Sequence, residues 1–156
     1  MELEFFPMTY EDLDEILAIE RASFKTPWIR LMFEAELKND SISYIYVTRP
    51  KDINDRPILG YIVFWHLGEE AQIANIATHP GHLRRCVGEK ILKFSLQKIK
   101  ELGAIEVFLE VRVNNIAARN LYEKSGFENF GIRKKYYADT GEDAIIMRKD
   151  LTNSNG

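Results

Sequence analysis

Between Ile105 and Phe127 the hydrophobic pattern changes period within one short turn, and this switch restricts the fold more than any other stretch of the chain. Ile105, Val107, Leu109 and Val111 alternate with Glu106, Phe108, Glu110 and Arg112, the pattern of a strand with two unlike faces. Glu110 therefore shares a face with Phe108. Helical spacing follows: Asn114 or Asn115 can cap a helix, Ile116, Ala117, Leu121 and Tyr122 form its apolar side, and Gly126 is suited to end it. A carboxylate at the end of a strand and an inward tyrosine two turns into the next helix are thereby brought into one neighbourhood.

A second strand-to-helix unit precedes this one. Ala71 to Thr78 is nearly all apolar around Ile73, Ala74, Ile76 and Ala77, which implies a central strand. Pro80 and Gly81 open a loop through Arg84 and Arg85 to Gly88. The helix beyond it buries Ile91, Leu92, Leu96, Ile99 and Leu102 and ends at Gly103. Upstream, Leu3 to Phe6 reads as a strand, and Thr9 with Asp12 reads as a capping box before a helix whose Leu13, Ile16 and Leu17 share one face. A second helix fits Trp28 to Leu37, and strands fit Ser43 to Val47 and Ile58 to His66. Two more strands, near Phe127 to Tyr136 and Ala144 to Arg148, flank Asp139-Thr140-Gly141. The expected fold class is α/β (α+β): one mixed, curved sheet of about seven strands with about four helices. A single domain is expected over residues 1–150, with a disordered tail at 151–156.

Composition removes several function classes. The 21 basic and 24 acidic residues are interspersed and give a formal charge of -3, so direct nucleic-acid binding is not expected. No apolar run approaches the roughly 18 residues of a membrane span, and no signal peptide opens the chain. With Cys86 as the single cysteine, these features point to a soluble, cytoplasmic protein. His66, His79 and His82 lack zinc-site spacing, so no metal is expected. Oligomeric state has no signature in the sequence.

The residues leave chemical alternatives open. A glutamate in an apolar strand is costly to bury ionised, so Glu110 is either a general base or a carboxylate paired with Arg112 or another cation. Tyr122 is either an acid or core filler with a satisfied hydroxyl. A loop entering a helix presents unpaired N–H groups that can hold a pyrophosphate, with Arg84 and Arg85 adding charge, or it is simply a solvated turn.

Several longer segments narrow these choices: Ser-Phe-Lys-Thr-Pro-Trp at 23–28, Asn-Ile-Ala-Thr-His-Pro at 75–80, Leu-Glu-Val-Arg-Val-Asn-Asn at 109–115, Asn-Leu-Tyr-Glu-Lys-Ser-Gly-Phe at 120–127, and Tyr-Tyr through Gly-Glu-Asp-Ala-Ile-Ile-Met at 136–147. In these the chain resembles the GNAT N-acetyltransferases, most closely the bacterial group that acetylates the alanine N-terminus of small-subunit ribosomal protein 18. The resemblance implies a sheet splayed between the strand ending at Thr78 and the strand ending near Val111, with acetyl-CoA as co-substrate in the gap. It implies Glu110 as general base and Tyr122 as general acid. Cofactor contacts would come from the backbone of Ile76, Ala77 and Thr78, the loop Arg84, Arg85, Cys86, Val87, Gly88 and Glu89, the side chain of Asn115, and Tyr122. The acceptor N-terminus, from a ribosomal protein, would lie between Phe24, Pro27 and Trp28 on one side and Tyr137, Glu142 and Asp143 on the other.

One departure from the family stands out. Its pyrophosphate loop reads Gln/Arg-x-x-Gly-x-Gly/Ala, and counting from Pro80 puts Leu83, Cys86 and Gly88 at the marked positions, so only Gly88 conforms. A Cβ at Cys86 strains any positive φ there. Two rivals remain at this level: a catalytically idle acyl-CoA-binding regulatory module, and an acetyltransferase of small molecules such as polyamines or antibiotics.

Overall fold

The computed structural model describes residues 2–51, 56–81 and 86–152. Along the chain run β1 (Leu3–Pro7), a single 3₁₀ turn at Tyr10–Asp12, α1 (Leu13–Ser23), α2 (Arg30–Lys38), β2 (Ser43–Pro50), β3 (Gly60–Leu67), β4 (Glu70–Thr78), α3 (Val87–Glu101), β5 (Glu106–Arg112), α4 (Ile116–Lys124), β6 (Glu128–Tyr137) and β7 (Glu142–Asp150). The seven strands form one sheet ordered β1-β2-β3-β4-β5-β7-β6, so β4 is central, as its apolar composition implies. Every pair is antiparallel except β4 with β5, which the α3 crossover joins in parallel.

Helices cover both faces. Ile91, Leu92 and Ile99 of α3 and Tyr122 of α4 pack with Ile62, Phe64, Ile73, Val107 and Leu109 on one side. On the other, Leu13, Ile16 and Leu17 of α1 and Phe33 of α2 pack with Ile45, Val47, Tyr61 and Val63. The alternation in β5 divides as expected, with Val107, Leu109 and Val111 buried and Phe108, Glu110 and Arg112 half-buried on the α1–α2 face.

The sheet opens where β4 meets β5. The two strands pair only from Glu70 with Glu106 to Ile73 with Leu109. The next β4 residue, Ala74, is extra: Phe64 pairs with Ile73 and Val63 with Asn75, so a bulge falls at the point of separation and bends β4 away. Beyond it, Asn75 to Thr78 pair with β3 alone, and Glu110 to Arg112 pair with β7 alone. The expected splay is therefore present.

Several boundaries differ from the sequence reading. The second helix begins at Arg30 because Ile29 is extended (φ -93°, ψ 167°), and the Trp28 N–H is taken by the Glu20 carboxylate rather than by a helical turn. The second strand runs on to Pro50 because β1 pairs with it as far as Leu3. On α4, Ile116 is 57% exposed and Ala117 is exposed, so the inward side is Ala118, Leu121 and Tyr122. Leu102 is exposed at the end of α3, where Gly103 turns the chain at φ +99°. Arg84, Arg85 and residues 153–156 of the expected tail lie outside the described residues.

Candidate active site

Glu110 sits on the stretch of β5 that has lost β4 as a neighbour. Its side chain is 15% exposed, and its Oε1 lies 3.3 Å from the Arg133 Nε. The Tyr136 hydroxyl interacts with the same carboxylate, and this interaction is the main cause of that phenol's upward shift. Of the alternatives open at the sequence level, the carboxylate does have a cationic neighbour, but it is Arg133 on β6 and not Arg112. The sequence marks Arg133 to Tyr137 as a strand edge lining a groove, without linking Arg133 or Tyr136 to Glu110. Strand alternation would send Tyr136 and Tyr137 to opposite faces, but between the pairs Arg133–Ala144 and Tyr137–Glu142 the β6 register slips. Lys135 there adopts φ +51°, its N–H bonded to Asp143 Oδ1 at 2.8 Å. That slip lets both phenols act on Glu110.

Tyr122 is buried, its ring 5.9 Å from that of Phe127 in an edge contact. Burial first, and the field of Tyr137 second, push its phenol well above the ordinary range. Tyr137 is pushed up to about 12, chiefly by desolvation, against the lowering influence of Arg112 and with Glu110 raising it. A carboxylate and two phenols that hold their protons at neutral pH thus share the open end of the sheet. Asn115 caps α4 through its Oδ1, which accepts the Ala118 N–H at 3.2 Å.

The N-terminus of α3 faces the same opening. Lys90 N–H makes the first helical bond, to Cys86 O at 3.1 Å, so the amides of Val87, Gly88 and Glu89 have no acceptor within the helix. Gly88 lies between β4 and α4: a Cβ there would come 3.4 Å from Leu121 and 3.6 Å from Thr78. The Glu89 carboxylate pairs with Lys124 at 3.3 Å. Exposed Cys86 occupies the left-handed region at φ 58°, ψ 27°, a conformation that costs a residue bearing a Cβ about 1–2 kcal/mol. Replacement by glycine removes that strain but adds about 0.4–1 kcal/mol of unfolded-chain entropy. The strain is the larger quantity, so Cys86→Gly should raise stability by about 0.5–1 kcal/mol, read as a higher urea midpoint. A lower midpoint would show that the left-handed turn carries no strain.

The residues expected around the acceptor come from the loop between α1 and α2 and from the β6–β7 hairpin, which are tied together. Arg112 binds Asp139 in a bidentate pair of 2.9 and 2.7 Å and stacks over the Tyr137 ring at 4.0 Å. Asp139 also accepts the Thr26 hydroxyl at 2.8 Å, across 113 positions of sequence. Arg112 first and Thr26 second hold the Asp139 carboxyl well below the usual carboxylate range. Glu142 faces Arg112 at 3.4 Å and Lys25 at 4.0 Å. Phe24 and Trp28 pack against the α1–α2 core, and Pro27 beside them is half-buried.

Among the described residues no cluster of three His, Cys, Asp or Glu side chains could hold a metal ion. No helix among them is long and apolar enough to cross a membrane.

The profile of the acetyltransferase (GNAT) family matches residues 10–127, and the chain belongs to that family. A Bacillus subtilis (strain 168) protein, provisionally named a ribosomal protein bS18-alanine N-acetyltransferase, is 39% identical over 141 residues, covering 90% of each chain. The ribosomal protein bS18-alanine N-acetyltransferase of Salmonella typhimurium is 33% identical over 138 residues, covering 87% of this chain and 89% of its own. Among solved structures, the ribosomal-protein-S18-alanine N-acetyltransferase from Escherichia coli superposes with a TM-score of 0.85 at 26% identity, over 96% of this chain and 94% of that one.

Proposed function

We propose that this protein transfers the acetyl group of acetyl-CoA to the α-amino group of a protein N-terminus, the first candidate being the alanine N-terminus of small-subunit ribosomal protein 18. One observation carries the reading: Glu110 lies on the segment of β5 that no longer pairs with β4 and acts on the Tyr137 phenol, which in turn acts on that of Tyr122. The acetyl-CoA tail would enter that gap, its pyrophosphate at the amides of Val87, Gly88 and Glu89, which have no acceptor within α3, together with Arg84 and Arg85. Asn115 would contact the pantetheine arm.

The acceptor amine attacks the thioester carbonyl, forming the C–N bond, and the C–S bond breaks. Glu110 takes the proton that the attacking ammonium must lose, directly or through a water. Alternate backbone N–H groups between Ile76 and Thr78, those on the side vacated by β5, stabilise the oxygen that gains charge. Tyr122 keeps its proton throughout the neutral range and gives it to sulfur as the C–S bond opens.

An α-amino group has a reference pKa near 8 and a lysine amine one near 10.4, so deprotonating the chain terminus costs less at neutral pH. The Thr26–Asp139 tie holds the two loops at a fixed separation, which suits entry of a chain end between Trp28 and Tyr137. The test is incubation with labelled acetyl-CoA and four peptides that begin with Ala, Ser, Met or Gly, the modified position being read by fragmentation mass spectrometry. Label on the α-amino group of the Ala peptide is expected, with smaller but measurable label on the others, since one pocket discriminates small residues weakly. Incorporation at the enzyme-free level for all four would overturn the assignment.

A further inference from the structure

A carboxylate that the proposed reaction does not use lies under the acceptor loop. Leu13, Ile16 and Leu17 define the inward stripe of α1, and Glu20 continues it at i+7 from Leu13, where the spacing asks for an apolar residue. It is 1% exposed. Three neutral donors hold it: the Trp28 N–H on Oε2 at 2.9 Å, the Asn75 amide on Oε1 at 2.8 Å, and the Tyr61 hydroxyl on the same oxygen. A leucine would fill this position with less desolvation cost, so the carboxylate has to be explained by what it connects.

Each partner lies at a telling place. Asn75 is the first β4 residue beyond the Ala74 bulge, on the stretch that β5 has left. Trp28 closes the loop between α1 and α2, and its ring meets Phe33 at 5.1 Å, which in turn meets Tyr61 edge-on at 5.9 Å. Glu20 closes this circuit, because it accepts both from the Trp28 backbone at one end and from the Tyr61 hydroxyl at the other. The loop from Phe24 to Ile29 is thereby fixed to the strand that borders the opening.

We infer that Glu20 is a positioning residue that sets affinity for the acceptor, by holding the Phe24–Trp28 loop against Asn75 at the open end of β4. The inference rests on the acceptor-groove reading above. Glu20→Gln separates the ties: if its carbonyl oxygen keeps Tyr61 and Asn75, its NH₂ group faces the Trp28 N–H, donor against donor. Asn75→Ala cuts the same link from the strand side.

The experiment measures KM for the Ala-first peptide, KM for acetyl-CoA and kcat for wild type, Glu20→Gln and Asn75→Ala, together with amide hydrogen exchange at Trp28 in each. In both variants the peptide KM should rise about tenfold, with acetyl-CoA KM within about twofold and kcat within about threefold, and in Glu20→Gln the Trp28 exchange should speed up about tenfold. A folded Glu20→Gln protein with an unchanged peptide KM overturns the inference. So does an equal rise in both KM values, which would indicate general loosening. If the wild-type protein modifies no N-terminal peptide, the acceptor reading fails separately, and unchanged Trp28 exchange in Glu20→Gln would overturn the positioning role as well.

Discussion

Replacing Tyr122 by phenylalanine should lower kcat by about 10² to 10⁴ while leaving the fold in place, the range usual for a lost acid–base group. The separation of chemistry from folding follows from the surroundings of the ring. Among the described residues the Tyr122 hydroxyl makes no hydrogen bond, whereas the ring is buried against Phe127 and the α3-side core. Phenylalanine keeps that packing and strands no buried partner, so the melting temperature should change little. The upward shift of the phenol by burial means that the wild-type group is a proton donor at any pH at which the protein functions. The expected signature is a fall in kcat with little change in KM for acetyl-CoA; an unaltered kcat would remove Tyr122 from the reaction.

Glu110→Gln should have an effect of similar size, about 10² to 10⁴ in kcat/KM. Glutamine retains an oxygen on the side of the Tyr136 hydroxyl and loses only the charge opposite Arg133, whose side chain is 56% exposed. An ion pair that open to solvent contributes about 0–1 kcal/mol, so stability should hardly move. With the base gone, the residual reaction needs an amine that arrives neutral, and its rate should climb about tenfold per pH unit below the α-amino pKa near 8. Stopped assays between pH 6 and 8.5 would follow this. A variant with wild-type rates across that range would assign proton removal elsewhere.

The fold was legible where a segment's own periodicity determines its partners. The alternation of Ile105 to Arg112 and the apolar run from Ala71 to Thr78 identify a half-exposed strand and a central one, and both lie so in the sheet. Hidden from periodicity were features made by register. The Ala74 bulge, which bends β4, adds one residue to a strand that reads as uninterrupted. The slip at Lys134 to Tyr136 rotates Tyr136 toward Glu110, against the alternation its neighbours predict. Arg112 illustrates a different limit: its carboxylate partners, Asp139 and Glu142, come from a hairpin 27 and 30 positions away, and only the pairing of β5 with β7 brings them together. Glu20 was legible in principle, since it completes the stripe of Leu13, Ile16 and Leu17. Its three donors come from the loop before α2, β3 and β4, so the position could be inferred but its purpose could not. The strain expected of a Cβ at Cys86 has its counterpart in the structure, where the residue adopts φ 58°.

The central claim is that the gap between β4 and β5 receives the acetyl thioester, and titration of the isotopically labelled protein with acetyl-CoA, followed by amide NMR, tests it most directly. Saturable shifts are predicted for Ile76, Ala77 and Thr78 on β4, for Val87 to Glu89 at the start of α3, and for Val111 and Arg112 on β5. Saturation without any change at those amides, or no binding at millimolar acetyl-CoA, would contradict the account.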